Sequence, residues 1–80
     1  MKYVYLLQSL AAPQQRYIGV TGDLQERRRQ HNAGKSPHTA KYGPWEAIVV
    51  VRFKDEKKAV AFEKYLKVGS GHAFAKRHFW

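Results

Sequence analysis

Five residues of this chain are of types that move protons or bind phosphate: Tyr5, Tyr17, Arg27, His31 and Glu63. A guanidinium such as that of Arg27 can grip a phosphate through two parallel hydrogen bonds, and the contact strengthens where negative charge develops. His31 lies four residues further on, on the same face of any helix that carries Arg27. Its imidazole, with an ordinary pKa of about 6.5, can transfer protons near neutrality. Phenols ionise only near a pH of about 10, so Tyr5 or Tyr17 can act as a base only with positive charge beside it. Glu63 falls in a stripe with Ala59, Phe62 and Leu66 at helical spacing. A pure nucleic-acid binder has no use for an inward acid, which repels phosphate unless a metal ion intervenes. Each residue also has an ordinary reading. Glu63 can be a helix carboxylate paired with a nearby Lys or Arg, Arg27 to Arg29 a solvated helix face, and the tyrosines core hydroxyls bonded to backbone.

The elements that must position these residues are short. Tyr3 to Leu7 and Arg16 to Val20 are β-rich runs separated by a polar segment containing Pro13, which predicts a hairpin. Alternation puts Tyr3, Tyr5 and Leu7 on one face of the first strand and Tyr17 and Gly19 on one face of the second, and a suitable register brings Tyr5 and Tyr17 together. Gly19 would let a phosphate or catalytic side chain approach closely, or would mark a sheet bulge. Asp23 followed by Glu26 has the pattern of a capping box and Gly34 supplies a stop, so a first helix is predicted over about Leu24 to Ala33. That helix is poor in apolar residues and can anchor little core. Lys35 to Pro44 lacks periodicity and reads as a loop. Trp45 opens a third, β-branched strand to Phe53 with Trp45, Ala47, Val49, Val51 and Phe53 on one face and Ile48 and Val50 on the other, a pattern that suits a central strand. Asp55 can cap a second helix ended by Gly69, and Ser70 can cap a last one carrying Phe74, His78 and Phe79. The element order is β-β-α-β-α-α.

Eighty residues with 44% hydrophobic composition suit one folded domain, residues 1–80, and not a disordered tail. Fifteen Lys and Arg against six Asp and Glu give a formal charge of +9, which favours a polyanionic partner, nucleic acid foremost. Without cysteine there can be neither disulfides nor a thiolate metal site, so a cytoplasmic location is expected, and no stretch approaches membrane-spanning length. The loop residues Lys35, His38, Lys41, Tyr42 and Trp45 interleave basic and aromatic groups, a composition that grips a phosphate backbone and stacks unpaired bases. Tyr42 and Trp45 can equally close the core. Arg28, Arg29, Lys76 and Arg77 are expected to bind phosphate or to solubilise the surface.

Tyr3-Val4-Tyr5, then eleven residues, then Tyr17-Ile18-Gly19 resembles the paired signature of the GIY-YIG nuclease superfamily, with Tyr3 and Val4 standing where the family name has glycine and isoleucine. Thr21-Gly22-Asp23-Leu24, Arg27 and His31-Asn32-Ala33-Gly34 resemble the family's first helix, and Glu63 before Tyr65-Leu66-Lys67 its acidic helix. Gly69-Ser70-Gly71 followed by Ala73 to Arg77 is similar to small single-domain bacterial and phage-type members. The resemblance implies an α/β fold with a small three-stranded antiparallel sheet flanked by helices. It implies an endonuclease that hydrolyses phosphodiester bonds with one Mg²⁺ or Mn²⁺ ion held by Glu63, leaving a 5′-phosphate and a 3′-hydroxyl. A single carboxylate suffices for Mg²⁺, which keeps waters and substrate oxygens as its other ligands. Arg27 takes the place of the catalytic arginine. His31 would assist the base or bind phosphate; Tyr5 would activate water and Tyr17 position it. DNA, single-stranded DNA included, is the favoured substrate. A non-catalytic binding module, or a nuclease subunit that needs a protein partner, stands as the alternative.

Overall fold

The computed structural model describes residues 1–35 and 39–80. Strands β1 (Lys2–Ser9), β2 (Arg16–Thr21) and β3 (Trp45–Phe53) form one antiparallel sheet in the order β2-β1-β3. Helix α1 (Leu24–Asn32) follows the hairpin, and α2 (Glu56–Lys67) and α3 (Gly69–His78) follow β3. A short 3₁₀ turn, Ala40–Tyr42, precedes β3. The β-β-α-β-α-α order and the three-stranded antiparallel sheet are those expected from the sequence.

The central strand is β1, not β3. Val4, Tyr5, Leu6 and Leu7 are all fully buried, because β1 is paired on both edges and covered on both faces. On β3, Ile48 and Val50 lie exposed. β-branched composition marks this strand correctly but cannot say whether its second edge finds a partner.

A register shift opposite Leu6 and Leu7 divides the β3 face that simple alternation holds together. On one side of the bulge Val49 pairs with Leu6 and Val51 with Val4; on the other Ala47 pairs with Leu7 and Trp45 with Ser9. The extra residue turns the strand over. Trp45 and Ala47 therefore join Tyr5, Leu7, Leu24 and Tyr42 in one cluster. Val49 and Phe53 join Val4, Leu6, Ala59, Leu66 and Ala75 in the other. Helix α1 lies over the first face of the sheet, and α2 with α3 behind it covers the second.

The helix ends follow local chemistry. Asp23 accepts from the Glu26 amide at 3.0 Å, while its own amide donates to Thr21 Oγ1 at 3.1 Å. The capping box is thus only half formed, since the Glu26 carboxylate turns to Arg29 instead. Asp55 caps α2 through the amides of Lys57 and Lys58. Val68, not Ser70, occupies the N-cap position of α3, and no side chain caps that helix. Gly69 has φ +55°, and a Cβ on the buried Gly71 would strike the backbone carbonyl of Tyr65. The first glycine makes the left-handed step after α2, and the second lets α3 fold back against the last turn of that helix.

Candidate active site

On the face of the sheet covered by α1, Tyr5 of β1, Tyr17 of β2 and His31 of α1 meet in one aromatic cluster. Ring centroids are 6.1 Å apart for Tyr5 and Tyr17, 5.8 Å for Tyr5 and His31, and 4.9 Å for Tyr17 and His31. The hairpin register explains the pairing. Tyr5 stands opposite Gly19 and Leu7 opposite Tyr17, so the two tyrosines are diagonal neighbours on one face. Of the two sequence readings of Gly19, the close approach of a side chain is the one realised: a Cβ there would overlap the Tyr5 hydroxyl and lie 2.6 Å from Tyr5 Cζ.

The Tyr5 hydroxyl lies 3.0 Å from His31 Nε2, and His31 Nδ1 lies 2.6 Å from Thr39 Oγ1. All three residues are sealed from solvent. Burial pushes the Tyr5 phenol up to about 12, Tyr17 adds to the rise, and the charge of Arg27 offsets part of it. Burial, followed by the positive charge of Arg27, holds His31 below its ordinary pKa. Both groups are therefore neutral at physiological pH, with the half-buried Arg27 as the cation that acts on them.

Glu63 stands apart from this cluster. It lies on α2, across the sheet from α1, with its side chain 14% exposed and its carboxylate 2.6 Å from Lys67 Nζ. The half-exposed Lys67 is held by a flexible stem, so a cation entering from solvent can displace it. A hard carboxylate oxygen with room for water and phosphate beside it fits a single Mg²⁺-type ion. Among the described residues no three His, Cys, Asp or Glu side chains converge as a ready-made metal cage.

Between the two regions runs a groove of about 560 Å³ around the free edge of β2, lined by Arg16, Tyr17, Lys67, His72 and Trp80 among others. Tyr17 reaches it from the face covered by α1 and Lys67 from beside Glu63. Arg16 lies 5.1 Å from the centre of the Trp80 ring. A volume in this range accommodates a small ligand. Arg16, His72 and Trp80 belong to no motif, and only the fold brings them to one edge with Lys67.

The other expected binding residues are scattered. Arg28, Lys35 and Lys41 are exposed on the α1 side. Arg29 is exposed but held by Glu26 at 2.7 Å. Tyr42 is half-buried against the Tyr5 cluster with Lys41 over its ring at 5.6 Å. Trp45 is a core residue whose indole donates to the Thr39 carbonyl at 2.7 Å. Lys76 and Arg77 are exposed on α3, whose contacts are with α2, so they do not continue the Lys35 and Lys41 surface. His38 lies outside the described residues. Among those residues no helix is long and apolar enough to cross a membrane.

Comparison with known proteins agrees with this fold. A model of the GIY-YIG catalytic domain matches residues 1–75. The structure-specific endonuclease subunit SLX1 of Candida dubliniensis is 39% identical over 82 residues, covering 94% of this chain and 27% of that protein. Its counterpart in Debaryomyces hansenii is 40% identical, covering 94% of this chain and 22% of that protein. An SLX1 homolog of Giardia intestinalis is 37% identical over 65 residues, with 76% and 18% covered. The chain spans about a quarter or less of the length of these curated relatives.

Proposed function

Because this chain belongs to the GIY-YIG catalytic domain family, we propose that it is an endonuclease that hydrolyses phosphodiester bonds in nucleic acid with the help of one divalent metal ion. The observation that carries the reading is the convergence of Tyr5, Tyr17 and His31 at 4.9 to 6.1 Å, with the charge of Arg27 acting on Tyr5 and His31.

In this reading Arg27 binds the scissile phosphate and strengthens its hold as charge develops there. Substrate docking would bring the attacking water to the Tyr5 hydroxyl, which is sealed in the free protein; Tyr5 then takes a proton from that water, and Tyr17 orients it at the mouth of the groove. A phenol held near pKa 12 is a poor proton acceptor as long as it keeps its own proton. Its proton must therefore move to His31 Nε2, 3.0 Å away. Glu63 would hold the metal ion, with Lys67 displaced. When bound, the ion supplies Lewis-acid stabilisation of the phosphate and the departing oxygen. Mg²⁺ is the proposed ion, since a lone carboxylate with water and phosphate oxygens suits it.

The groove around the β2 edge is where the strand on one side of the scissile phosphate would lie. Arg16 and Lys67 offer positive charge, His72 a hydrogen-bonding imidazole, and Trp80 a face for a base. DNA is the proposed substrate, and a formal charge of +9 supports docking on its backbone. A second reading follows from the relatives, which are named as subunits. Val60, Tyr65, Val68 and Phe74 are exposed on and just beyond α2 and on α3, an apolar surface a protein partner could cover.

End-labelled single- and double-stranded DNA and RNA pools, incubated with Mg²⁺, Mn²⁺ or EDTA, test both readings when Glu63→Ala is run beside the parent. Metal-dependent cuts that vanish in the variant are expected. Binding without cutting by the parent would select the partner-dependent reading or a non-catalytic binding module.

A further inference from the structure

The innermost hydrogen bond of the site goes to a residue outside every sequence motif. Thr39, fully buried, places its hydroxyl 2.6 Å from His31 Nδ1 and its carbonyl 2.7 Å from the Trp45 indole nitrogen. Trp45 is fixed in turn, its amide donating to Asn32 Oδ1 at 2.6 Å. The threonine is therefore clamped from the β3 side and can move little against the imidazole.

Proton bookkeeping sets the direction of each bond. The Tyr5 phenol is neutral and carries a proton into a dry site. Arg27 has donors only and cannot accept it. With Tyr5 as the base its proton goes to His31 Nε2, 3.0 Å away, which requires that nitrogen to be unprotonated. A neutral imidazole then carries its proton on Nδ1, which donates to Thr39 Oγ1. The titratable and charged groups facing His31 are Tyr5 from β1, Tyr17 from β2 and Arg27 from its own helix. None of them is hydrogen-bonded to Nδ1; among the described residues its partner is Thr39 Oγ1, a hydroxyl that supports the Nδ1–H tautomer when it accepts.

We propose that Thr39 is a positioning residue for proton transfer: its hydroxyl holds His31 as the Nδ1–H tautomer, so that Nε2 remains open to receive the Tyr5 proton. The inference rests on the reading of Tyr5 as the base. As an O–H bond of the attacking water breaks, its proton passes to Tyr5 Oη. The proton of Tyr5 passes to His31 Nε2, and the hydroxide oxygen bonds to phosphorus as the P–O bond to the leaving oxygen breaks. His31 ends as an imidazolium still donating to Thr39, the phenol ends neutral, and the negative charge leaves on the products. A carboxylate beside the imidazole would do the same positioning with more charge stabilisation, as in the serine hydrolase triad. A neutral hydroxyl that accepts from Nδ1 supports this tautomer without creating a buried anion that would compete with phosphate for Arg27.

The test is ¹⁵N NMR of histidine-labelled parent protein, Thr39→Val and Thr39→Ser, with cleavage kinetics on the same samples. The parent should show a pyrrole-type Nδ1 and a pyridine-type Nε2 at His31. Thr39→Val should mix the tautomers and lower kcat on the order of 10²-fold with KM for nucleic acid unchanged. Thr39→Ser should restore both. A protonated Nε2 in the parent overturns the proposal without any variant, as does a Thr39→Val protein with unchanged tautomer and kcat. A fall confined to KM, or no rescue by serine, reduces Thr39 to a packing role. Should the parent fail to cut any pool, the nuclease reading fails separately, and the parent tautomer alone then decides the Thr39 assignment.

Discussion

The ring of Tyr5 lies over Gly19, its partner on the neighbouring strand, so closely that a methyl group at position 19 would overlap the phenol hydroxyl. The glycine of the Tyr-Ile-Gly triplet is thus a seat for the tyrosine of the first strand, and the two halves of the signature are one packing unit.

Gly19→Ala should displace the Tyr5 ring from His31. Overpacking of this kind costs about 1–3 kcal/mol, and turnover should fall further than stability does because the 3.0 Å hydrogen bond depends on ring position. Urea unfolding and cleavage rates measured together check this. A variant with full turnover would mean that the placement of the Tyr5 hydroxyl is not needed for the reaction.

Arg27 and Arg29 differ by half a turn of helix and should differ in effect. Arg27 acts on both Tyr5 and His31, whereas Arg29 is exposed and occupied by Glu26. Arg27→Ala is expected to lower kcat by on the order of 10²- to 10³-fold, as for loss of a transition-state donor. Arg29→Ala should change little beyond binding, since an exposed ion pair of this kind contributes about 1 kcal/mol or less. Equal effects of the two on kcat would demote Arg27 to one phosphate contact among several.

Lys67 holds the carboxylate that the metal ion is proposed to occupy. Replacing it by methionine keeps much of the stem and removes the competing charge. Lys67→Met should reach half-maximal activity at a lower metal concentration than the parent does, with the metal titration run at saturating substrate so that the loss of a groove cation does not contribute. An unchanged or higher metal requirement would show that Lys67 and the ion do not compete for Glu63.

Two buried neutral groups make stability fall at both ends of the pH scale. The pKa of His31 is lowered in the folded protein, so its contribution is present above the unfolded value of about 6.5 and is lost as pH falls through the folded one. Tyr5 is raised from 10.0 to about 12, so its contribution is present below 10.0 and is lost as pH rises towards about 12. Urea midpoints should drop on acidification below about 6.5 less steeply in His31→Gln than in the parent. On the alkaline side the decline should be shallower in Tyr5→Phe. Parallel curves for parent and variant would show that the group in question gains or loses its proton as freely in the folded chain as in the unfolded one.

Local chemistry made much of this protein legible before its structure. Asp23 and Asp55 mark helix starts because a short carboxylate satisfies amides that have no partner within the helix. The alternation of Tyr5 with Leu7 and of Tyr17 with Gly19 fixes which face each residue takes, and the spacing of Arg27 and His31 puts both on one side of α1. Those are short-range rules, and the tyrosines, arginine and histidine of the candidate site follow from them once a hairpin is granted. What depends on contacts between distant segments was decided only in the tertiary structure. Composition could not show that β1, not β3, is paired on both edges, nor that a bulge beside Leu6 and Leu7 sends Trp45 to one face and Val49 to the other. Thr39 has no periodic or motif signal, because a hydroxyl in a loop becomes a partner for His31 only when β3 closes the chain over it. The groove of Arg16, Lys67, His72 and Trp80 exists because α2 and α3 pack behind the free edge of β2, and no spacing along the chain encodes that neighbourhood.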